Sequence, residues 1–440
     1  MANIAVIGTG YVGLVTGALL ADFGHTVKCA DIDAEKIDSL RNGAIPIFEP
    51  LLDEIVTKNH ASGRLGFTTS IEEAVYLNDV VFIAVGTPSF EDGSADLRHV
   101  LGAAEEIAKH VNEYKVIVNK STVPVGTGAK VKELIKTVLN NRGADCGFDI
   151  VSNPEFLREG SAVNDFLHPD RVVIGYENAK ALNIMKDIYR VLYLNEVPFV
   201  ETNIETAEMI KYATNAYLAT KVAFINEVAD ICDVVGADVQ QVAKAMGKDG
   251  RISPKFLNPG PGFGGSCFPK DTKGFAKLAE DNGVATDIVS AVIKSNETHK
   301  LRMVDKIAAG MGTLEGKRLA VLGVTFKPNT DDLREASSLT ILPKLAKAGA
   351  ILHIYDPQGK KEGLWRFAEF ERSVTWFENE YDAIKGCDGI VILTEWNLFR
   401  NLDFEKIKSL TNGRRIFDLR NIYKRQDIEA AGFAYFGVGT

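Results

Sequence analysis

Residues 3–13 read Asn3-Ile-Ala-Val-Ile7-Gly8-Thr-Gly10-Tyr-Val-Gly13, and this stretch decides the fold of the first third of the chain. A short apolar run ends in glycine, and a helical pattern follows it through Ala21. In such a strand–turn–helix, Gly8 makes the tight turn, Gly10 lets the backbone approach a pyrophosphate, and Gly13 allows the helix to pack close against the strand. A phosphate then rests on the helix N-terminus, beside Tyr11 and Val12, where unpaired N–H groups and the dipole favour negative charge. A second apolar run, Thr26-Val-Lys-Cys-Ala30, ends in Asp31. A carboxylate at that point hydrogen-bonds the hydroxyl pair of an adenine ribose and repels a 2′-phosphate, so the pattern reads as NAD rather than NADP. Lys36 opens the next helix, either lying along the adenosine or serving as a solvated surface charge.

The alternation of strand and helix continues outward from this point. Asp79–Val85 reads as a buried parallel strand ending at Gly86-Thr87-Pro-Ser, and Lys115–Asn119 as another, ending at Lys120-Ser-Thr122-Val-Pro124. Ligands of doubly wound sheets bind at the carboxyl ends of strands, so Thr87 and Thr122 either touch cofactor or substrate or serve ordinary turn and N-cap chemistry. A further strand, Phe148–Ser152, runs into Asn153-Pro-Glu155-Phe156-Leu157-Arg-Glu159-Gly160. The spacing is expected to set Glu155 and Glu159 at i and i+4 on one helical face. Glu155, just past the strand end, is the stronger catalytic candidate, and surface pairing is the plain alternative for Glu159.

From Thr206 to about Val235 the pattern is helical, with neither Gly nor Pro inside it until residue 236. Lys211 and Asn215, four residues apart, share a face. Met209, Ile210, Ala213, Leu218, Val222, Phe224 and Ile225 predict burial on several sides, in an inter-domain cleft or a dimer seam; a snorkelling surface lysine is the alternative for Lys211. Then comes Asn258-Pro-Gly-Pro-Gly-Phe-Gly264-Gly-Ser-Cys267-Phe-Pro-Lys-Asp271, whose four glycines and three prolines exclude a helix or strand interior. It reads as a shaped turn presenting a thiol and a carboxylate for covalent catalysis, or as a structural loop with a buried, inert cysteine.

In the last third, Arg318–Thr325 is again a strand ending in glycine, followed by a helix through Ala348 and strands at Ile351–Tyr355, Gly389–Leu393 and Arg415–Asp418. Only Gly323 matches the dinucleotide fingerprint. Lys327, Arg334 and Arg420 lie at or beyond strand ends, where they would grip phosphates. The stretch from about Ala291 to Gly316 reads as a connector. The net charge of −9 argues against nucleic acid, and the absence of any run of about 18 apolar residues argues against a membrane span. The chain enters a strand at once, without a signal-peptide pattern. Five scattered cysteines with no CxxC or Cys/His spacing give neither a metal site nor a disulfide framework. A reduced, cytoplasmic protein is expected.

With these pieces in order, the chain resembles the UDP-glucose/GDP-mannose dehydrogenase family over essentially its full length. The most specific pieces are Phe263-Gly-Gly-Ser-Cys-Phe-Pro-Lys-Asp271, Asn153-Pro-Glu-Phe-Leu-Arg-Glu-Gly160, Lys211 with Asn215, and Phe326-Lys-Pro followed by Arg334-Glu. The resemblance implies an α/β fold of two Rossmann-like doubly wound domains joined by a long central helix and a small helical dimerisation region. The expected divisions are 1–200 for NAD, 201–300 for the central region and 314–440 for the UDP-sugar. It further implies NAD-dependent oxidation of a nucleotide sugar's primary alcohol to a carboxylate in two hydride transfers. Cys267 would be the nucleophile, Lys211 and Asn215 the oxyanion donors, Asp271 with Lys211 and Thr122 the group that orients water, and Glu155 a base or hydrolysis partner. Glu155, Phe156, Leu157 and Gly264 would line the sugar nucleotide with Cys267, Phe256 onward would wrap it, and Lys327 and Arg420 would contact its phosphates or hydroxyls. Glu159 and Arg334 would lie near the cofactor, and Arg251 would reach the sugar nucleotide, in the neighbouring subunit's site of a homodimer. Gly264–Pro269 and His168-Pro-Asp-Arg-Val-Val-Ile-Gly175 favour UDP-glucose over GDP-mannose or a UDP-N-acetylhexosamine. The β-hydroxyacid dehydrogenases, with a similar central helix, need no cysteine, and a non-enzymatic NAD sensor leaves Cys267, Asp271 and Lys211 unexplained.

Overall fold

The structure is a computed structural model that describes residues 1–440. The chain forms two compact units, one of Met1–Thr214 with Lys277–Gly283, the other of Asn215–Ala276 with Val284–Thr440.

The first unit is built on an eight-stranded sheet. Its strands are β1 (Asn3–Ile7), β2 (Thr26–Ala30), β3 (Leu65–Thr68), β4 (Val80–Ile83), β5 (Lys115–Asn119), β6 (Phe148–Ser152), β7 (Val172–Tyr176) and β8 (Phe199–Thr202), in the order 3-2-1-4-5-6-7-8. Pairing is parallel except between β6 and β7. Alternate residues of β1 feed two separate cores, Ile4 and Val6 one face, Ala5 and Ile7 the other. That two-sided burial is why these strands read as continuous apolar runs. β7 and β8 escaped the sequence reading. The edge strand β8, Phe199-Val-Glu-Thr202, is half-exposed and carries little apolar signal.

The second unit holds a six-stranded, wholly parallel sheet of β9 (Arg318–Leu322), β10 (Ile351–Tyr355), β11 (Val374–Trp376), β12 (Gly389–Ile392), β13 (Arg415–Asp418) and β14 (Ala434–Gly437), ordered 11-10-9-12-13-14. Ranked within its own sheet this is again 3-2-1-4-5-6, the doubly wound order expected from sequence. The expected connector is mostly the 25-residue helix Asp287–Met311, an integral part of this unit.

A single 32-residue helix, Ile204–Val235, joins the two units. Within one chain its burial is less complete than the apolar pattern predicts. Met209 and Phe224, expected inside, are exposed, together with Tyr217 and Ile231. The apolar surface is there, but within one chain nothing covers that face. Inside the first unit, Glu208 of this helix accepts the Gly126 and Gly128 N–H groups at 2.7 and 2.8 Å, at the start of helix Thr127–Arg142.

Candidate active site

In the first unit the β1–helix turn has the geometry a pyrophosphate needs. Gly8 sits at φ +99°, and a Cβ there would come within 2.8 Å of Ala84 O. A Cβ on Gly13 would meet Gly8 O at 1.9 Å, so the close helix–strand packing requires glycine. A Cβ on Gly10 would meet nothing within 4 Å, which leaves an open cradle. Helix Tyr11–Asp22 begins there with no side-chain cap and no acidic residue in its first turn, so its N-terminus is left for an anion. Asp31, at the end of β2, accepts Thr9 N and Thr9 Oγ1, both at 2.8 Å, and Lys36 Nζ at 3.3 Å. Burial alone would raise its carboxyl, but these donors hold it below the ordinary range. An ionised Asp31 beside an uncapped helix start fits NAD.

Beyond β4 and β5, Thr87 Oγ1 donates to Thr122 O at 2.9 Å, so the two threonine loops are tied together. The loop after β6 departs from expectation. Asn153–Arg158 is not helical, so Glu155 and Glu159 do not share a helical face. Pro154 disfavours helical geometry at Asn153, and the Glu155 carboxylate turns back to accept Leu157 N at 2.5 Å. Both residues are nevertheless buried. Lys211 Nζ lies 3.1 Å from Glu155 Oε1, with both side chains almost fully buried. Phe156 is stacked under the Arg171 guanidinium, 3.7 Å from the ring centroid, with Lys211 Nζ 5.2 Å away. Leu157 packs against the sheet core.

Sequence reasoning missed two supports in this unit. Glu49 accepts the Tyr11 hydroxyl together with Gly160 N at 2.6 Å and Ala162 N at 2.7 Å, tying the dinucleotide turn to the Glu155 loop. Lys120, Asn153 and Tyr189 form a second buried polar cluster. A lone Glu in Phe48-Glu49-Pro50 and a Lys after a strand carry no pattern that would reveal either.

In the second unit, Asn215 Nδ2 donates to Asp271 Oδ2 at 2.6 Å and Lys270 Nζ to Asp271 Oδ1 at 2.6 Å, with Asp271 fully buried. Residues 268–271 are not part of an irregular loop as expected. They form the first turn of helix Phe268–Asp281, because Pro is tolerated where no N–H partner is needed. Cys267 therefore immediately precedes a helix, half-buried, with Asp271 N bonded to its carbonyl at 2.8 Å and Ser266 Oγ 3.6 Å from its sulfur. The thiol therefore stands at the N-terminus of that helix, with Asp271 in its first turn.

The glycines before Cys267 are close-approach positions. A Cβ on Gly264 would strike Glu335 O at 2.4 Å, and one on Gly265 (φ +83°) the Phe326 ring at 2.6 Å. Ser253, Phe256, Asn329 and Glu335 all adopt positive φ, and such strain concentrates at ligand sites. The Phe256 and Phe268 rings are tilted against each other, with centroids 5.9 Å apart. Arg420 donates to Leu393 O and Phe326 O, both at 2.8 Å, and pairs with Glu395. Arg334 forms a fork with Asp332, Lys327 Nζ lies 5.1 Å from the Phe326 ring, and the exposed Arg251 pairs with Asp249. The structure thus brings Lys327 and Arg420 to the Phe326 segment, while Arg251 stands apart on the surface.

Comparison with known proteins decides the family. Three models of the UDP-glucose/GDP-mannose dehydrogenase family match in series: the NAD binding domain over 2–193, the central domain over 205–298 and the UDP binding domain over 320–425. The chain belongs to the UDP-glucose/GDP-mannose dehydrogenase family. It is 49% identical over 441 residues to the UDP-glucose 6-dehydrogenase of Rhizobium meliloti (strain 1021), covering 99% of both chains. Its fold matches a UDP-glucose dehydrogenase from Pyrobaculum islandicum at TM-score 0.90 and 37% identity, covering 100% and 98% of the two chains. A UDP-D-MAnNAc dehydrogenase from Pyrococcus horikoshii matches at TM-score 0.85 and 26% identity, covering 99% of each. The resemblance, the two Rossmann-like domains joined by the central helix, and the NAD cofactor expected from sequence therefore hold. This is an NAD-dependent dehydrogenase. No helix is long and apolar enough to cross a membrane.

Proposed function

We propose that this protein is a UDP-glucose 6-dehydrogenase: UDP-glucose, two NAD⁺ and water give UDP-glucuronate, two NADH and three protons. The reading is supported by near full-length identity of 41–49% to relatives of that name. It is carried by one observation, the placement of Cys267 directly before a helix N-terminus with the buried Asn215–Asp271 pair anchored one turn along.

NAD⁺, which the Gly8–Gly13 turn and Asp31 would hold, would supply the hydride acceptor for each of two oxidations at C6. The chain's residues do the rest. After the first oxidation the Cys267 sulfur attacks C6 of the aldehyde and forms a thiohemiacetal, which keeps the intermediate bound. Lys211 and Asn215, one turn apart on the same helix, are the donors for the C6 oxygen as it becomes an oxyanion. The second oxidation leaves a thioester. Water, oriented by Asp271 with Lys211 and Thr122, then breaks the C–S bond, and Cys267 leaves as thiolate. Glu155, ion-paired to Lys211, is the candidate to take up protons. Lys327, Arg420 and the Phe256–Gly264 loop hold the nucleotide, and Arg334 and Glu159 border the cofactor.

The exposed Tyr217, Phe224 and Ile231, seven residues apart on the central helix, support a homodimer built on that seam, which would also put Arg251 within reach of a neighbour. Both NAD and nucleotide sugars are cytoplasmic metabolites, which favours that compartment. The test is stoichiometry. Two NADH per UDP-glucose with UDP-glucuronate as product is expected. One NADH per sugar, or turnover of GDP-mannose or UDP-N-acetylmannosamine in preference to UDP-glucose, overturns the reading.

A further inference from the structure

Lys120 is a buried cation that the reaction scheme leaves without a role. Lys120 follows β5 directly, two residues before Thr122, and its Nζ donates to Asn153 Oδ1 at 3.0 Å and to the Tyr189 hydroxyl at 3.3 Å. Tyr189 in turn donates to Asn153 Oδ1 at 2.7 Å, and Asn153 Nδ2 donates to Val173 O at 2.8 Å. Asn153 begins the turn that carries Glu155, and Asn153 N is bonded to Asn119 O at 2.9 Å. The Lys120 side chain thus bridges the carboxyl ends of β5 and β6. The two loops it ties are the ones bearing Thr122 and Glu155.

We propose that Lys120 is a positioning residue for the oxidation: it clamps the Thr122 loop to the Glu155 loop and, as a second buried cation, sets the charge of the Glu155–Lys211 pair. This rests on the roles given to those residues above. Three of the buried ionisable side chains of this unit, Lys120, Lys211 and Glu155, interact electrostatically. Two lysines face one carboxylate, so fully charged they bury a net positive charge, which a low-dielectric interior resists. Burial pushes the Lys120 amine down to about 8, with Glu155 pulling it up and Lys211 pressing it down further. The remaining titratable neighbour, the Tyr189 phenol, is driven upward by burial and stays a neutral hydroxyl. An ammonium at Lys120 therefore sets a second positive charge beside the Glu155–Lys211 ion pair, and a neutral side chain there removes it.

The experiment compares wild type with Lys120→Met, which removes the charge, and Lys120→Gln, which keeps a donor, on whichever nucleotide sugar the wild type oxidises. Choosing the sugar this way separates failure of the UDP-glucose reading from failure of this one. We expect kcat to fall about tenfold or more in both variants with KM for sugar and NAD⁺ within about threefold, and the kcat–pH profile to move alkaline by about one pH unit. A second readout needs no turnover. Between pH 8 and 10 the unfolded chain binds more protons at Lys120 than the folded chain, so wild type should gain thermal stability relative to Lys120→Met as pH rises through that window. An unmoved kcat–pH profile, or unfolding midpoints that run parallel from pH 8 to 10, overturns the inference. A kcat within twofold of wild type does the same.

Discussion

Replacing Glu208 by glutamine should stabilise this protein at alkaline pH, although it removes one of two short hydrogen bonds. Glu208 of the central helix accepts the Gly126 and Gly128 N–H groups where helix Thr127–Arg142 begins. Charge-assisted bonds and a helix N-terminus both favour the anion. Burial opposes them and wins, raising the carboxyl from 4.5 to about 7. Because each tenfold in the acid equilibrium is worth about 1.4 kcal/mol, that rise corresponds to about 3 kcal/mol. The sign follows from proton counting: between pH 4.5 and 7 the folded chain holds more proton at Glu208 than the unfolded chain. Its contribution is fully present below the unfolded value and is lost as pH rises through about 7. Glutamine mimics the protonated carboxyl at every pH. Wild type and Glu208→Gln should therefore melt together below about pH 4.5, diverge as pH rises from there to about 7, and keep a constant gap above it. The variant should reach a midpoint higher by roughly 5–10 °C at pH 8, using the entropy of a domain of this size. Differential scanning fluorimetry from pH 5 to 9 measures the gap. A variant that melts below wild type at pH 8 would refute the reasoning, since the two backbone donors would then outweigh desolvation.

Three further outcomes test the site. Cys267→Ser should hold turnover at the first oxidation level, cutting steady-state NADH formation by about 10³-fold or more with NAD⁺ affinity unchanged; a covalent sugar adduct detected by mass spectrometry in wild type and missing in the variant checks it. Asp31→Asn removes the ionised ribose acceptor and should weaken NAD⁺ about 10- to 100-fold by fluorescence titration, in line with loss of a hydrogen bond to a charged group. Phe224→Glu with Ile231→Glu should convert the proposed dimer to monomers in sedimentation velocity, since paired charges on the proposed seam would be buried without partners.

Much of the framework was legible because it is local. The runs Asn3–Ile7 and Val80–Ile83 are buried on both faces and so look apolar throughout, and the Gly8–Gly13 spacing expresses contacts among neighbours in sequence. What escaped depends on distant partners. β8 is an edge strand with a polar face. The Glu155 turn looked helical because Glu155 and Glu159 have helical spacing, but Pro154 and the carboxylate's own grip on Leu157 N override it. Phe224 looked buried because hydrophobicity records that a surface is covered, not whether the same chain covers it. Glu49 and Lys120 act on residues 111 and 33 positions away, and no window of sequence contains both ends of those bonds.

The two sheets share one device and use it differently. Gly8 N is bonded to Ala30 O at 2.7 Å, and Gly323 N to Tyr355 O at 2.8 Å; each glycine has positive φ, and each following loop sends N–H and threonine hydroxyl donors to the aspartate that ends the neighbouring strand. The first loop continues with Gly10, open on its outer side, into an uncapped helix. The second continues with Thr325-Phe326-Lys327-Pro328, bulky and cationic, and no helix begins there until Ser338. Asp356 is also consumed, accepting Val324 N, Thr325 N, Gln358 N, Gly359 N and Trp396 Nε1 besides the threonine. A carboxylate so occupied has no lone pair left for a ribose, whereas Asp31 accepts four donors and faces an open turn. Where the first sheet leaves backbone N–H groups open, the second therefore sets two side-chain cations, Lys327 and Arg420, at the Phe326 segment.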